Sequence, residues 1–466
     1  MRRSTTIIFV TLAVSVIFGI GCGNADPITI SPNAPGVAQL AFLAGLTARY
    51  SPSTTEVWIG APPGFCASET IVRVEVKGEL PRRIQSLTDG SFIYKFMGDE
   101  SSSAQVEYTD PSGAKHHVYV AVTDPSGGLE LSIGSPGLYP NRMNAIDDKV
   151  WIVNSGDDEL ASYDLDSLDR ESAVSFPPYS NPWEADFVSS TEGLITTLFS
   201  GIFRFNTTSG ATTQVSTEGF TPFASPNGVA ILGDAGWVAN PNPISYFPTE
   251  FGIGWVSEIG IDESPAVVAE INTQWLNPQN VITDGNYVYV CCSGTIDFIP
   301  PDYLPAALDP GGVHVIDPEA RTIVASYELG ICGPGPMGLS PDSRYMYIGS
   351  GVAGWLFRID LENGVVLNDA QNPIVISEAE KTYIPFIEVS DEGLLACASF
   401  NTDTIHFIDS WTGEVDPFPF FGPIELHPDD PDALWGPQDA AFVTRDGEEG
   451  LLVMTTIESR FHWVGF

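Results

Sequence analysis

The sequence predicts an all-β fold: a seven-bladed β-propeller preceded by a sandwich of short strands. Three observations carry this. A proline-led strand pair recurs seven times, starting at Pro140, Pro182, Pro226, Pro278, Pro336, Pro385 and Pro437, at intervals of 42, 44, 52, 58, 49 and 52 residues. Repeats of about 40–50 residues with several strands each are the signature of propeller blades. The seventh repeat stops after its third strand at Phe466, while a spare strand, "GLELSIG" (Gly128–Gly134), stands before the first. Ahead of it, residues 28–127 alternate apolar and polar residues in six or seven short runs with a turn every 8–12 residues, the spacing of a sandwich.

Taken in chain order, the first element is a targeting segment. Arg2 and Arg3 precede the apolar run "TTIIFVTLAVSVIFGI", and small residues lead to Cys22. That layout is a secretory signal over residues 1–21. A cysteine directly after Gly21 resembles a bacterial lipobox, with Gly19 at a position where leucine is usual. The resemblance implies lipidation of Cys22, a short linker over 22–27 and, with Gly23 following the cysteine, residence at the outer membrane. No later stretch reaches the ~18 continuous apolar residues of a membrane span.

Residues 28–127 contain "APPGFCASETIVRVEV", "DGSFIYKFMGD" and "AQVEYTDPSGAKHHVYVAV". Their turns resemble those of bacterial Ig-like domains, which implies a spacer between lipid and propeller. "TDPSGG" (Thr123–Gly128) reads as the hinge.

The propeller occupies 128–466. Its strand pairs include "DKVWIVNSGDDELASYDLDS", "GLITTLFSGIFRFNTTSG" and "SPDSRYMYIGSGVAGWLFRIDLENG". The turn after each proline-led strand is short, and six of the seven carry an Asp. The outline P-x-G followed by "VWIVNSGDDELASYDLDS" resembles the YVTN-type propeller repeat, with Asn154 and Asp164 matching in the first repeat, Asp360 in the fifth, and Asn401 and Asp409 in the sixth. The glycine after the proline is present only as Gly228 and Gly338. The resemblance covers about residues 129–466 and speaks to architecture. The missing fourth strand of the last repeat is expected to come from "LELSIG", which would close the ring and remove two exposed edges.

The long insertions all fall on one face, the one carrying the loops between second and third strands and between blades. They are Ala239–Gly254, Ser293–Gly312, Asp369–Tyr383 and Asp416–Gly436, rich in proline and aromatics. That face, called the top, is the expected recognition surface. At its centre, one and two residues after each proline, Asn141, Trp183, Glu184, Asn227, Gln279, Asn280, Gln438 and Asp439 should surround the channel mouth. Glu184, Asn227, Asn280 and Asp439 offer oxygen ligands of the kind calcium takes. Calcium-dependent lactonase propellers resemble this arrangement, which implies a hydrolase with one central ion.

His314, His406 and His462 share one register on the third strands, which marks a structural slot; His427 lies on a top loop. No G-x-S-x-G elbow is present. The cysteines show no zinc spacing, and in an exported chain a Cys292–Cys332 bridge across the top of blades 4 and 5 is expected, with Cys397 a buried small apolar residue. The chain has 19 Lys and Arg against 60 Asp and Glu, a net charge of −41, or −43 without residues 1–21. Such a surface repels phosphate backbones, so nucleic acid is not an expected partner. Two functions stand: a non-catalytic module binding a protein, peptide or glycan through the top face, or a calcium-dependent lactonase-like hydrolase at the channel.

Overall fold

A computed structural model describes residues 129–465, apart from 247–248, 300–303, 380–381, 416–422 and 427–433. Of the N-terminal part it describes seven strands between residues 47 and 121, with Thr70 and Ser86. The leader, Cys22, Cys66, the hinge and His427 lie outside the described residues.

Each proline-led segment forms the inner strand of a four-stranded antiparallel blade. Blade 1 comprises Pro140–Ile146, Lys149–Asn154, Glu159–Asp164 and Arg170–Ser175, paired in sequence order. The inner strands of blades 2 to 7 are Pro182–Ser189, Val229–Leu232, Pro278–Thr283, Pro334–Leu339, Ile387–Val389 and Pro437–Arg445. Proline suits this place because the first residue of an inner strand, facing the channel, needs no ladder N–H. Blade 5 adds a short fifth strand, Ile374–Val375, against Trp355–Asp360.

The second strands read as near-continuous apolar runs, such as Lys149–Asn154 (KVWIVN), because both faces of a blade are covered by neighbours. Seven apolar clusters result, one at each junction between adjacent blades. The seventh joins blade 7 to blade 1: Phe461 and Met454 pack with Ile152 and Tyr163, and the Phe461 and Tyr163 rings meet edge to face at 5.4 Å. Full burial of a ring such as Phe461 contributes about 1.5–3 kcal/mol. The ring closes as the sequence predicts. Leu129–Gly134 pairs with Arg460–Gly465, with Leu129 opposite Val464 and Glu130 opposite Trp463, and so supplies the fourth strand of blade 7.

Junctions are also clamped by aspartates in the left-handed region. Asp158 (φ 52°) and Asp403 (φ 48°) occupy the same place in blades 1 and 6, between second and third strands. Aspartate tolerates this conformation better than most residues. Asp158 accepts the N–H groups of Tyr179 (2.6 Å) and Asn181 (2.9 Å) just before the blade 2 inner strand. Asp403 accepts those of Trp435 (2.8 Å) and Gly436 (2.7 Å) just before blade 7.

The three histidines fill structural slots. His314 is buried, stacks on Trp275 at 4.5 Å, bonds Ser326 through Nδ1 (2.8 Å) and accepts the Gln274 N–H at Nε2 (3.1 Å). Burial holds its pKa down at about 4. His462 stacks on Trp435 at 5.0 Å, and His406 is buried beside Thr404.

The expected Cys292–Cys332 bridge is not present: both are free thiols, as are Cys291 and Cys397. The reason is strand alternation. In Val288–Cys292, Cys292 faces the junction of blades 3 and 4, whereas Cys291 faces that of blades 4 and 5, where Cys332 also packs. Burial pushes the Cys332 thiol up to about 12.

The N-terminal strands form two antiparallel sheets. One orders Thr47–Ser51, Glu56–Ala61 and Phe92–Met97; the other orders Arg82–Gln85, Ile71–Val76, Ser103–Thr109 and Lys115–Ala121. Among the described residues no helix is long and apolar enough to cross a membrane.

Candidate functional site

The inner strands converge at the top of the ring, and the proline-led ends of several carry a β-bulge. The register shifts between Pro182 and Glu184, between Pro278 and Asn280, and between Pro437 and Asp439. A bulge opposes two residues to one and breaks strict alternation. This is how consecutive residues, Gln279 and Asn280, both reach the same cleft.

That cleft, of about 180 Å³, sits over the channel mouth and draws residues from all seven blades. Arg142, Trp183, Asn227, Gln279, Asn280 and Gln438 come from the inner strands and the segments leading into them. Two hairpins inserted above blades 3 and 4 form walls: Pro243–Tyr246 with Thr249–Phe251, and Ile296–Ile299 with Leu304–Ala307. Thr249 Oγ1 donates to Asp297 Oδ1 (3.1 Å), tying one hairpin to the other. Phe251, Ile296 and Pro305 face the cleft from these walls, and Tyr383 and Pro385 close it on the blade 6 side.

The predicted site residues divide. Trp183, Asn227, Gln279, Asn280 and Gln438 are brought together in the cleft. Asn141, Glu184 and Asp439 are not among its lining residues. Asn141 is buried, its Nδ2 donating to Pro182 O (2.9 Å) across the blade 1–2 junction. Asp439 Oδ2 accepts the Met143 N–H (2.8 Å) across the blade 7–1 seam. Asn280 Oδ1 accepts the Met337 N–H (3.2 Å) across the blade 4–5 junction, and Asp186 Oδ2 accepts the Ile231 N–H (2.6 Å) between blades 2 and 3. A polar side chain on one inner strand thus satisfies the next strand's backbone at several junctions, a structural use of groups that sequence reading assigned to a ligand.

Glu184 belongs to a half-buried charge cluster around Arg142, the member that also lines the cleft. Arg142 Nε lies 3.5 Å from Glu184 Oε2, and its Nη1 points to Pro385 O at 3.5 Å. Burial raises the Glu184 carboxyl to about 7 despite the guanidinium. Burial likewise raises Asp439 to about 6, again against the pull of Arg142. Glu388 is pushed well above the usual carboxylate range by burial and then by the Asp439 charge. Burial works against the Arg142 charge, but Asp439, Glu184 and Glu388 outweigh it and its pKa rises.

Sequence reading gives no role to Arg142 or Glu388. Arg142 follows Asn141 directly, but its pairing with a carboxylate from another blade is invisible without the ring. Glu388 is hidden because the blade 6 strand begins only at Ile387, two residues after its proline.

Three of the four proposed calcium ligands are engaged within the protein. Arg142, a fixed cation, stands beside the Glu184 carboxylate, and Asn280 and Asp439 already accept backbone N–H groups. Among the described residues no three His, Cys, Asp or Glu side chains come together as a metal site.

The cleft has two buried polar atoms without a partner among the described residues, Ser293 Oγ and Gln438 Oε1. Ser293 is wholly buried and Gln438 is 7% exposed.

No known protein family matches the sequence, and no curated protein matches it. Solved structures do resemble the fold. Virginiamycin B lyase from Staphylococcus aureus is 14% identical, with a TM-score of 0.50 over 70% of this chain and 94% of the lyase chain. A streptogramin B lyase structure is 13% identical, with a TM-score of 0.51 over 72% of this chain and 96% of the lyase. At such identities the likeness concerns the propeller fold.

Proposed function

We propose that this chain is an exported, lipid-anchored binding module whose propeller takes a ligand on its top face. The observation that carries this reading is the central cleft, built from all seven blades and walled by two inserted hairpins tied through Thr249 and Asp297. A second feature agrees with it. Leu138, Tyr139, Tyr179, Phe199, Ile244, Ile253 and Ile331 are large, apolar, exposed and all on the top face. The opposite face carries the acidic turns with Asp147, Asp234, Asp284, Asp342 and Asp446. Tyr287 and Trp411 on that opposite face are exposed too, at 41% and 40%, but less than the 48–78% of the seven on the top face, and so large a set of exposed apolar groups marks a contact surface. Protein, peptide and glycan are the ligand classes such a face serves.

Cys22 is the proposed lipid attachment point, and residues 28–127 the Ig-like spacer. The orders of the two N-terminal sheets, three strands and four, support a sandwich of that kind. The rival reading, a calcium-dependent lactonase-like hydrolase, is less favoured because Glu184, Asn280 and Asp439 already have partners within the protein, and the lyase activity in the neighbours' titles is not transferred at 13–14% identity.

The test uses the mature chain against peptide and glycan libraries. Binding is expected to fall at least tenfold in the wall variants Phe251→Ala and Ile296→Ala while thermal unfolding holds. Binding that ignores both, or maps to the acidic face, refutes the reading. For the anchor, Cys22→Ser should move the protein from the membrane to the soluble fraction and remove the acyl mass; a soluble wild-type protein without acyl chains would overturn it.

A further inference from the structure

We infer that the central cleft takes the ring of a neutral sugar. The inference rests on the binding-module reading and narrows it to one ligand class.

The composition of the lining is the first argument. The chain has 60 Asp and Glu, yet among the described residues none lines the cleft. Its polar groups are amides and hydroxyls, Asn227, Asn277, Gln279, Asn280, Gln438 and Ser293 among them, and the one charged residue of the described lining is Arg142. A cationic amine or a metal ion would meet no carboxylate there. An anion would meet a guanidinium already paired with Glu184 (3.5 Å), inside a molecule of net charge −41. An uncharged ligand escapes both penalties.

The second argument is the pair of unpartnered atoms. A buried polar atom without a protein partner is completed by an ordered water or by a ligand, and at the wall of a cleft a ligand can take the water's place. Gln438 Oε1 from blade 7 can only accept, whereas Ser293 Oγ from blade 4 can donate or accept. Asn280 has its Oδ1 engaged by Met337, which leaves its amino group as a donor. A ligand matching this set must both donate and accept at several points, as sugar hydroxyls do.

The third argument is shape. The polar groups converge from different blades onto the centre of a ring, and are not spaced along a strand edge as an extended peptide would need. Trp183, Phe251, Tyr383 and Pro305 line the same cleft and add apolar surface to it. A pyranose offers hydroxyls around its rim and C–H groups on its faces, which suits a cleft lined by both kinds of group.

The experiment is saturation-transfer NMR on the mature chain. The probes are methyl glucoside, methyl galactoside, methyl mannoside and N-acetylglucosamine, with glucosamine and glucuronate as charged counterparts and a set of proline-rich peptides alongside. At least one neutral sugar should bind, with a Kd in the millimolar range or tighter, and neither charged sugar should bind better. Ser293→Ala and Gln438→Met should each weaken it about tenfold, equivalent to about 1.4 kcal/mol. Neither should lower the unfolding temperature, because each removes an unpartnered atom. If either variant fails to fold, Phe251→Ala serves in its place, with the same tenfold loss expected. Preference for a charged sugar, or binding indifferent to the substitutions, overturns the inference. Peptides that bind in a manner sensitive to Ser293→Ala and Gln438→Met, with no sugar bound, overturn the sugar and leave the binding module standing. Absence of both kinds of binding counts against both.

Discussion

Replacing Glu184 by Gln should make the propeller's stability less dependent on pH, in a direction opposite to that of an ordinary salt-bridged carboxylate. Burial raises the native carboxyl to about 7, against the opposing pull of Arg142, from 4.5 for the unperturbed group. Between those values the folded state holds a proton that the unfolded chain has released. Wild-type stability therefore falls as pH rises from about 4.5 to about 7 and levels off above, where both states are ionised. At 1.36 kcal/mol per pH unit the full window is worth about 3 kcal/mol. The side chain is 13% exposed, so solvent screens little of this. The amide of the Glu184→Gln variant does not titrate and would have no such dependence. Whatever fixed offset the substitution brings, the variant should gain about 2.5 kcal/mol on the wild type between pH 5 and pH 8, the part of the window inside that range. Urea unfolding followed by tryptophan fluorescence reads this in the propeller, since nine of the ten tryptophans lie there. A constant difference across that range, or one that widens toward acid, would refute the argument that burial outweighs the guanidinium.

Four further outcomes are expected. Phe461→Ala, at the seam of blades 7 and 1, should cost about 3–5 kcal/mol in chemical denaturation, and removal of Leu129–Gly134 should act in the same direction. Asp403→Ala, which strands the Trp435 and Gly436 N–H groups, should cost about 1–3 kcal/mol, with Asn recovering part of it because Asn also tolerates positive φ. Excess chelator should leave the thermal midpoint unchanged; a fall of several degrees would reinstate a bound cation. Cys291, Cys292, Cys332 and Cys397 should resist thiol reagents until the protein unfolds, and a disulfide found between Cys292 and Cys332 would show the strand register to be wrong.

The architecture could be read early because propellers repeat. Pro140, Pro182, Pro278 and Pro437 each open an inner strand, and the deficit of one strand at the end of the seventh repeat matched the spare "LELSIG". In blades 3, 5 and 6 the proline and the strand start are out of step, and in blade 6 this hid Glu388. The site was legible as a neighbourhood and not as a set of contacts. Asn141 and Asp439 were expected at the mouth, but the neighbouring blade uses their polar atoms, and no single repeat reveals what its neighbour demands. The two wall hairpins were read as loops, since four-residue strands such as Pro243–Tyr246 and Ile296–Ile299 carry too little pattern to distinguish. Cys291 and Cys292 differ by one step along a strand, and that step decides which junction each enters.

The pairing of Leu129 with Val464 has a kinetic side. Blades 1 to 6 each form from strands close together in sequence, and their hairpins can zip as the chain appears. Blade 7 must wait for contact between segments more than three hundred residues apart, the slowest kind of contact to find. Until then Leu129–Gly134 and Arg460–Gly465 are both unpaired edges with matching partners. In a concentrated refolding mixture the matching partner is also supplied by another molecule. Exchange of this one strand between two chains would give a dimer with two complete rings. The proportion of such dimers should rise with protein concentration during refolding and, once formed, persist on dilution for as long as the native ring takes to open.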